Sequence, residues 1–221
     1  MDASLLTLLQ LSDSAFPSGG FSHSLGLESA IQHSLVGTKG NLQDFIVASM
    51  ENAGSFGLPF VHDAYNEGDN VSKVKDMDDL CEACLSNHIA KKASIRQGNS
   101  FIDSASRIFH DKQLETLSSS LNHRHFAVVF GVTYRILGFS LDNVMTSFMF
   151  STLRTLTSSA VRLDRIGPIE AQQIQYSLQS SIPDIIARNL DMLSEDASIS
   201  FPVPDTLQNA HGLLFSKLFF S

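Results

Sequence analysis

Residues 125–139 read His125-Phe126-Ala127-Val128-Val129-Phe130-Gly131-Val132-Thr133-Tyr134-Arg135-Ile136-Leu137-Gly138-Phe139, with no polar side chain between Phe126 and Val132. A helix that is apolar nearly all round has no face to give to water, so it belongs at the centre of a bundle. A second very apolar stretch, Leu141 to Leu163, follows at once. Gly167-Pro168 closes it and opens another helix, the proline standing near the first turn where its missing N–H costs nothing. Elsewhere strand periodicity is nearly absent and helical spacing recurs. Leu5, Leu8 and Leu9 mark a first short helix, and Leu25, Ala30 and Ile31 a second. Phe45, Ile46, Met50 and Ala53 share one face of a third, which Asn41 can cap with Asp44 three residues on. The expected fold is all-α: one helical domain over residues 1–221, with 125–139 and 141–163 as its buried central pair.

The punctuation is equally readable. Pro17, Gly19 and Gly20 force a turn after the first helix. Pro59 falls inside a continuing helical pattern and predicts a break or kink there. Residues 66–77 are polar and read as an exposed loop, with a helix resuming near Asp78 and running towards Arg107. Ser181 is placed to cap a later helix, with Asp184 at its third position. From Ala197 the character changes. Phe201-Pro202-Val203-Pro204 reads as non-helical, yet Leu213, Leu214, Phe215, Leu218, Phe219 and Phe220 are apolar. Such a terminus docks on its own bundle or on another protein. The reading taken is that about 197–221 is a partner-docking tail, mobile in isolation and dispensable for stability from residue 205 onward.

A chain of 221 residues buries enough surface to fold without disulfides or a structural metal. Its net charge of −8, with 15 basic against 23 acidic residues, argues against nucleic acid or an anionic membrane as partner. The longest apolar run, Phe126 to Val132, is far short of the ~20 residues that span a bilayer. Met1-Asp2-Ala3-Ser4 lacks the basic start of a secretory signal. These features predict a cytoplasmic, reducing location.

No constellation for catalysis emerges. Cys81 and Cys84 supply two ligands where a structural zinc site wants four, and on one helix face they read as packing residues. The eight histidines, His23, His33, His62, His88, His110, His123, His125 and His211, are scattered, with no H-E-x-x-H. His88 lies four residues after Cys84 and could share a helix face with it, a weak transient nickel site at most. The glycines at 19–20 lack the Gly-Lys-Ser/Thr of a phosphate loop. Ser22-His23-Ser24 lacks a nucleophile elbow. Arg154, Arg162 and Arg165 flank Thr157-Ser158-Ser159, and either face a partner's acidic or phosphate group or tie carboxylates within the fold.

The run Gln10-Leu11-Ser12-Asp13-Ser14-Ala15-Phe16-Pro17-Ser18-Gly19-Gly20-Phe21-Ser22-His23-Ser24-Leu25-Gly26-Leu27-Glu28 resembles the N-terminal signature of the UreF family. Arg96-Gln97-Gly98, the 125–131 stretch with Leu137-Gly138, and Ser158 to Leu163 with Gly167 and Gln172 are similar to further segments of that family. His211, Phe215, Ser216, Lys217, Leu218, Phe219 and Ser221 follow its closing pattern. The likeness runs from about residue 5 to 221. Pro168 stands where the family often has Gln, Phe220 where many members have Arg, and His23 where Tyr is common.

The resemblance implies a non-enzymatic urease accessory protein. Members of the family form homodimers, bind the accessory protein UreD (UreH in some bacteria), and with it recruit UreG, a nickel-carrying GTPase, so that nickel enters apo-urease. Nickel would be handled by the complex, with no cofactor bound stably by this chain. The matched positions Phe16, Pro17, Gly19, Gly20, His23, Glu28, Arg162, Gln172, His211, Phe215, Lys217, Leu218 and Phe219 would then be partner-binding. Two alternatives accompany this reading: an activator of the GTPase, with Arg162 as an arginine finger, and a nickel-binding chaperone using histidines.

Overall fold

The computed structural model describes residues 3–37 and 39–221, and among them there is no β-strand. The α-helices in chain order are α1 (Ala3–Ser12), α2 (Leu27–Gln32), α3 (Lys39–Asn52), α4 (Leu58–Asn66), α5 (Val71–Cys84), α6 (His88–Phe109), α7 (Lys112–Ser120), α8 (Phe126–Ile136), α9 (Leu141–Arg162), α10 (Pro168–Leu178), α11 (Ile182–Asn189) and α12 (Pro202–Ala210). The expected centre is where the sequence puts it. All residues of α8 from Ala127 to Tyr134 are buried, with α4 and α6 packed against it. An aromatic stack fills this layer: Phe130 lies 4.3 Å from Tyr134 and 5.4 Å from Phe101 of α6, ring centre to ring centre. Such offset pairs add to the burial of large apolar surface. Helix α9 lies beside them and buries Val144, Met145, Phe148, Met149, Leu153 and Leu156.

The entry to α8 is held by an acid invisible as such in the sequence. Arg124 adopts a left-handed φ of 62°, and the backbone N–H groups of His123, Arg124 and His125 converge. Asp78 of α5, with no exposed surface, accepts from all three, at 2.8, 2.9 and 2.8 Å. Successive N–H groups in such a turn form an anion-binding concavity, and here the anion is the protein's own.

Several local expectations are corrected. Helix α3 begins at Lys39, so Asn41 lies within it and does not cap it. Asn70 caps α5 by accepting from the Lys73 N–H, which shortens the expected 66–77 loop to a few residues. The helix does not run through to Arg107. It breaks after Cys84, and Asn87 starts α6 by accepting from Ile89 and Ala90. Cys84 and His88 are therefore on different helices, and Cys84 is exposed while Cys81 is buried. The irregularity expected at Pro59 is a π-helical turn at Ala53–Gly57, and Pro59 occupies the first turn of α4 without harm. Ser181 turns its hydroxyl back to the Leu178 carbonyl and caps nothing. Pro202 and Pro204 do not prevent a helix. They sit in the first turn of α12, where N–H groups have no helical acceptor to lose.

Candidate functional site

The N-terminal signature and the chain's last residues meet in one place. Glu28, in the first turn of α2, is buried, and its carboxylate faces the segment after α12. Its Oε1 accepts from the Leu218 N–H at 2.7 Å and its Oε2 from the Phe219 N–H at 3.0 Å. His211 Nε2, also buried, lies 3.0 Å from the same Oε2. A carboxylate taken from water needs every acceptor site engaged, and these contacts supply three donors from one segment. Four residues earlier, the Ser24 N–H and hydroxyl both donate to the Ser221 backbone oxygen, at 2.6 and 2.8 Å. The Phe220 N–H donates to the Ser22 carbonyl at 2.9 Å. His23 Nδ1 lies 2.7 Å from the Ser221 hydroxyl, both residues being buried. Gly26 makes the neighbouring approach feasible. Its φ is +86°, and a Cβ there would stand 2.9 Å from the Gln208 backbone nitrogen of α12.

Arg162, at the end of α9, binds this clasp from below. Its guanidinium donates to the Phe21 carbonyl and lies 3.6 Å from the Phe21 ring centre and 4.1 Å from that of Phe219. Cation–π contacts of this kind favour a desolvated arginine over a free one. Arg96 stands 5.1 Å from the Phe220 ring. A cation from α6 thus reaches the aromatic ring at position 220.

Of the positions singled out in the sequence, His23, Glu28, Arg162, His211, Leu218 and Phe219 come together. Phe16 is core, its ring 5.7 Å from that of Phe101. The Pro17 carbonyl accepts from Ser104, and Gly19 and Gly20 form the turn that leads to Phe21. Lys217 folds back on the Gly212 carbonyl. Gln172 is exposed on α10. Phe215 has no burial at all. Sequence reasoning missed Ser24 and Ser221 as the backbone latch, and Phe21 as an exposed ring on Arg162. The hydroxyl at 24 beside a glycine-bearing turn was the available signal for the latch. Among the described residues, Arg154 and Arg162 donate to backbone carbonyls, of Ser12 and Phe21, and form no ion pair with a carboxylate.

The tail is thus seated rather than loose. Leu207, His211, Phe219 and Ser221 are buried, so the expectation that residues 205–221 can be removed without loss of stability does not survive this geometry. What stays outside is apolar: Phe21, Leu213, Phe215, Leu218 and Phe220 are all more than half exposed. Among the described residues, no group of three or more His, Cys, Asp and Glu is placed to hold a metal ion, and no helix is long and apolar enough to cross a membrane.

Burial holds the His23 imidazole well below its ordinary value, at about 4, and the nearby Arg96 and His211 add to the cost of a second positive charge. The unfolded chain takes up that proton near 6.5. Stability from a neutral His23 is therefore complete above about pH 6.5 and is lost as the pH falls towards 4, by about 3 kcal/mol in all. Urea unfolding at pH 7.5 and pH 4.5 should show His23→Gln losing about 2–3 kcal/mol less than the parent across that interval. Equal losses would remove His23 as the cause.

Comparison with known proteins points to one family. The profile of the UreF family matches residues 36–179. Urease accessory protein F of Oryza sativa subsp. indica is 36% identical, the match covering 98% of this chain and 85% of the relative. Urease accessory protein F of Arabidopsis thaliana is 33% identical over 96% and 90% respectively. Urease accessory protein UreF of Paenarthrobacter aurescens (strain TC1) is 26% identical over 98% and 97%.

Proposed function

The chain belongs to the UreF family of urease accessory proteins, and from that premise we propose that it is an assembly scaffold in urease maturation. In this reading it works as a homodimer, joins a UreD/UreH-like accessory protein, and with it recruits a UreG-like nickel-carrying GTPase so that nickel reaches apo-urease. The observation that carries the proposal is the clasp. Eleven residues, 211–221, are fixed from within by Glu28, Ser24 and Arg162, while their Leu213, Phe215, Leu218 and Phe220 face outward. Large apolar side chains held rigidly in the open are what a docking surface requires, because their ordering cost is met before the partner arrives.

The rival readings fare less well. An arginine finger must be free to enter a partner's site, and the Arg162 guanidinium is committed to the Phe21 carbonyl and two rings. A histidine-based nickel carrier needs accessible side chains that converge on one ion. His23, His125 and His211 are buried, and although His33, His88 and His110 are exposed, no group of three or more His, Cys, Asp and Glu among the described residues is placed to hold a metal ion. Mixing the chain with its UreD-like and UreG-like partners, followed by co-purification, tests the scaffold. Phe215→Ser combined with Leu218→Ser should abolish capture of the UreD-like partner while moving the thermal midpoint by no more than a degree or two, since exposed substitutions stay within about 0.5 kcal/mol. Capture that survives both changes places the docking surface elsewhere. Single-turnover GTP hydrolysis with and without the chain separates scaffold from activator.

A further inference from the structure

A second feature owes nothing to the clasp. Between α3, the π-helical turn, α6, α8, α9 and α12 lies a cavity of about 200 Å³ that is partly open to solvent. Small residues leave the space: Ala53 and Gly57 of the π turn, Ala93 of α6 and Ala127 of α8. The Phe126 and Phe148 rings form much of the remaining apolar wall. One wall residue is unlike the rest. Ser49 of α3 is buried, and its hydroxyl has no hydrogen-bond partner. A buried hydroxyl without a partner carries a desolvation cost that only a water or a ligand can relieve. The π-helical turn directly after α3 borders the same space, and such turns are frequent at functional sites.

The walls also define the charge of an occupant. No lysine, arginine or histidine lines the cavity. The one carboxylate there, Asp205, already accepts from the Asn87 amide at 2.9 Å. A charged ligand would lose its hydration without compensation. An apolar protein cavity of about 150 Å³ is large enough for benzene, and drug-sized ligands need about 300 Å³ or more. The space between those limits suits a single ring with a polar substituent.

We propose that this cavity is a binding site for a small, neutral, largely apolar molecule with one hydrogen-bonding group, such as a phenol, whose polar atom pairs with the Ser49 hydroxyl. Because Pro204, Asp205 and Gln208 of α12 form part of the wall, an occupant bridges the bundle to the helix that leads into the clasp.

The test uses the full chain alone, so its result is independent of urease assembly. Phenol and benzene are titrated while amide resonances are followed by NMR. Both probes should bind saturably at the resonances of lining residues, with phenol tighter. Ser49→Ala should weaken phenol about fivefold, the effect of losing one hydrogen bond, and leave benzene within twofold. Ala93→Met should abolish both, and if that variant fails to fold, Ala127→Val provides a smaller filling. Absence of saturable binding by either probe in the parent chain would overturn the proposal, as a cavity that is collapsed or filled with water. Phenol affinity unchanged by Ser49→Ala would overturn the role of the hydroxyl.

Discussion

Glu28→Ala is expected to lower the stability by about 3–5 kcal/mol, because it takes the acceptor from three donors at once, and each donor left unsatisfied in the interior costs about 1–3 kcal/mol. The carboxylate accepts from the Leu218 and Phe219 N–H groups and meets His211. Its loss leaves the buried Phe219 N–H and His211 imidazole and the part-buried Leu218 N–H without their acceptor at the same time. Urea denaturation reads the first consequence. Amide hydrogen exchange reads the second, because protection at Leu218 and Phe219 should collapse while that of α8 changes only by the global loss of stability. Glu28→Gln keeps one acceptor oxygen but turns an NH₂ group on the other N–H, so its cost should fall between alanine and parent. A loss below about 1 kcal/mol, or unchanged exchange at those two amides, would mean that the clasp is held by something else.

Gly98→Ala should be more damaging still. A Cβ at this position of α6 would lie 1.8 Å from the Arg124 carbonyl oxygen and 3.0 Å from the Phe126 nitrogen. Both atoms are backbone, so no rotamer change relieves the overlap. The turn that carries them is pinned by Asp78 through three hydrogen bonds, and α6 would have to move away from α8 as a body. A cost of about 4 kcal/mol or more is expected, beyond the ordinary range of single substitutions. Gly131→Ala should behave alike, since its Cβ would meet the Val61 carbonyl oxygen at 2.3 Å. Gly37→Ala, with nothing within 4 Å of the added atom, is the control and should stay within about 0.5 kcal/mol. Thermal midpoints measured side by side check the order.

The sequence disclosed the interior far better than the joints. Helix α8 was legible because an uninterrupted apolar run has only one home in a bundle. Glu28 was noticed as part of a motif, but its role was not, since its partners lie 183, 190 and 191 residues away. Asp78 reads as one acid among several on a polar helix, and only the turn at Arg124 reveals it as an anchor. The break before α6 was missed although Asn87 is a favourable cap, because helical spacing continues on both sides of it. The prolines of α12 were weighed as breakers when their position in a first turn made them starters. Of the candidate site, the residues of the clasp were in view. The distinction between those facing inward, such as Phe219, and those facing outward, such as Phe215, depends on a non-helical path that no periodicity encodes.

The clasp also sets an order of events during synthesis. Ser24 and Glu28 emerge from the ribosome early, yet the groups that satisfy them are made about 190 residues later. At roughly 5–20 residues per second this is an interval of roughly 10–40 seconds. Throughout that time the Glu28 carboxylate has every reason to stay in water, and with it the short helix α2, which α12 covers in the finished molecule. The α4–α6–α8 core can form on the nascent chain and take in Phe16, but Glu28 and α2 cannot be fully covered before α12 and the last residues of the clasp arrive. A translating ribosome stalled at residue 205 should therefore display a protease-sensitive segment at 21–32 beside an already resistant core. Release of the remaining residues would close the ring, so the surface offered to partners exists only on a chain whose translation has passed Ser221.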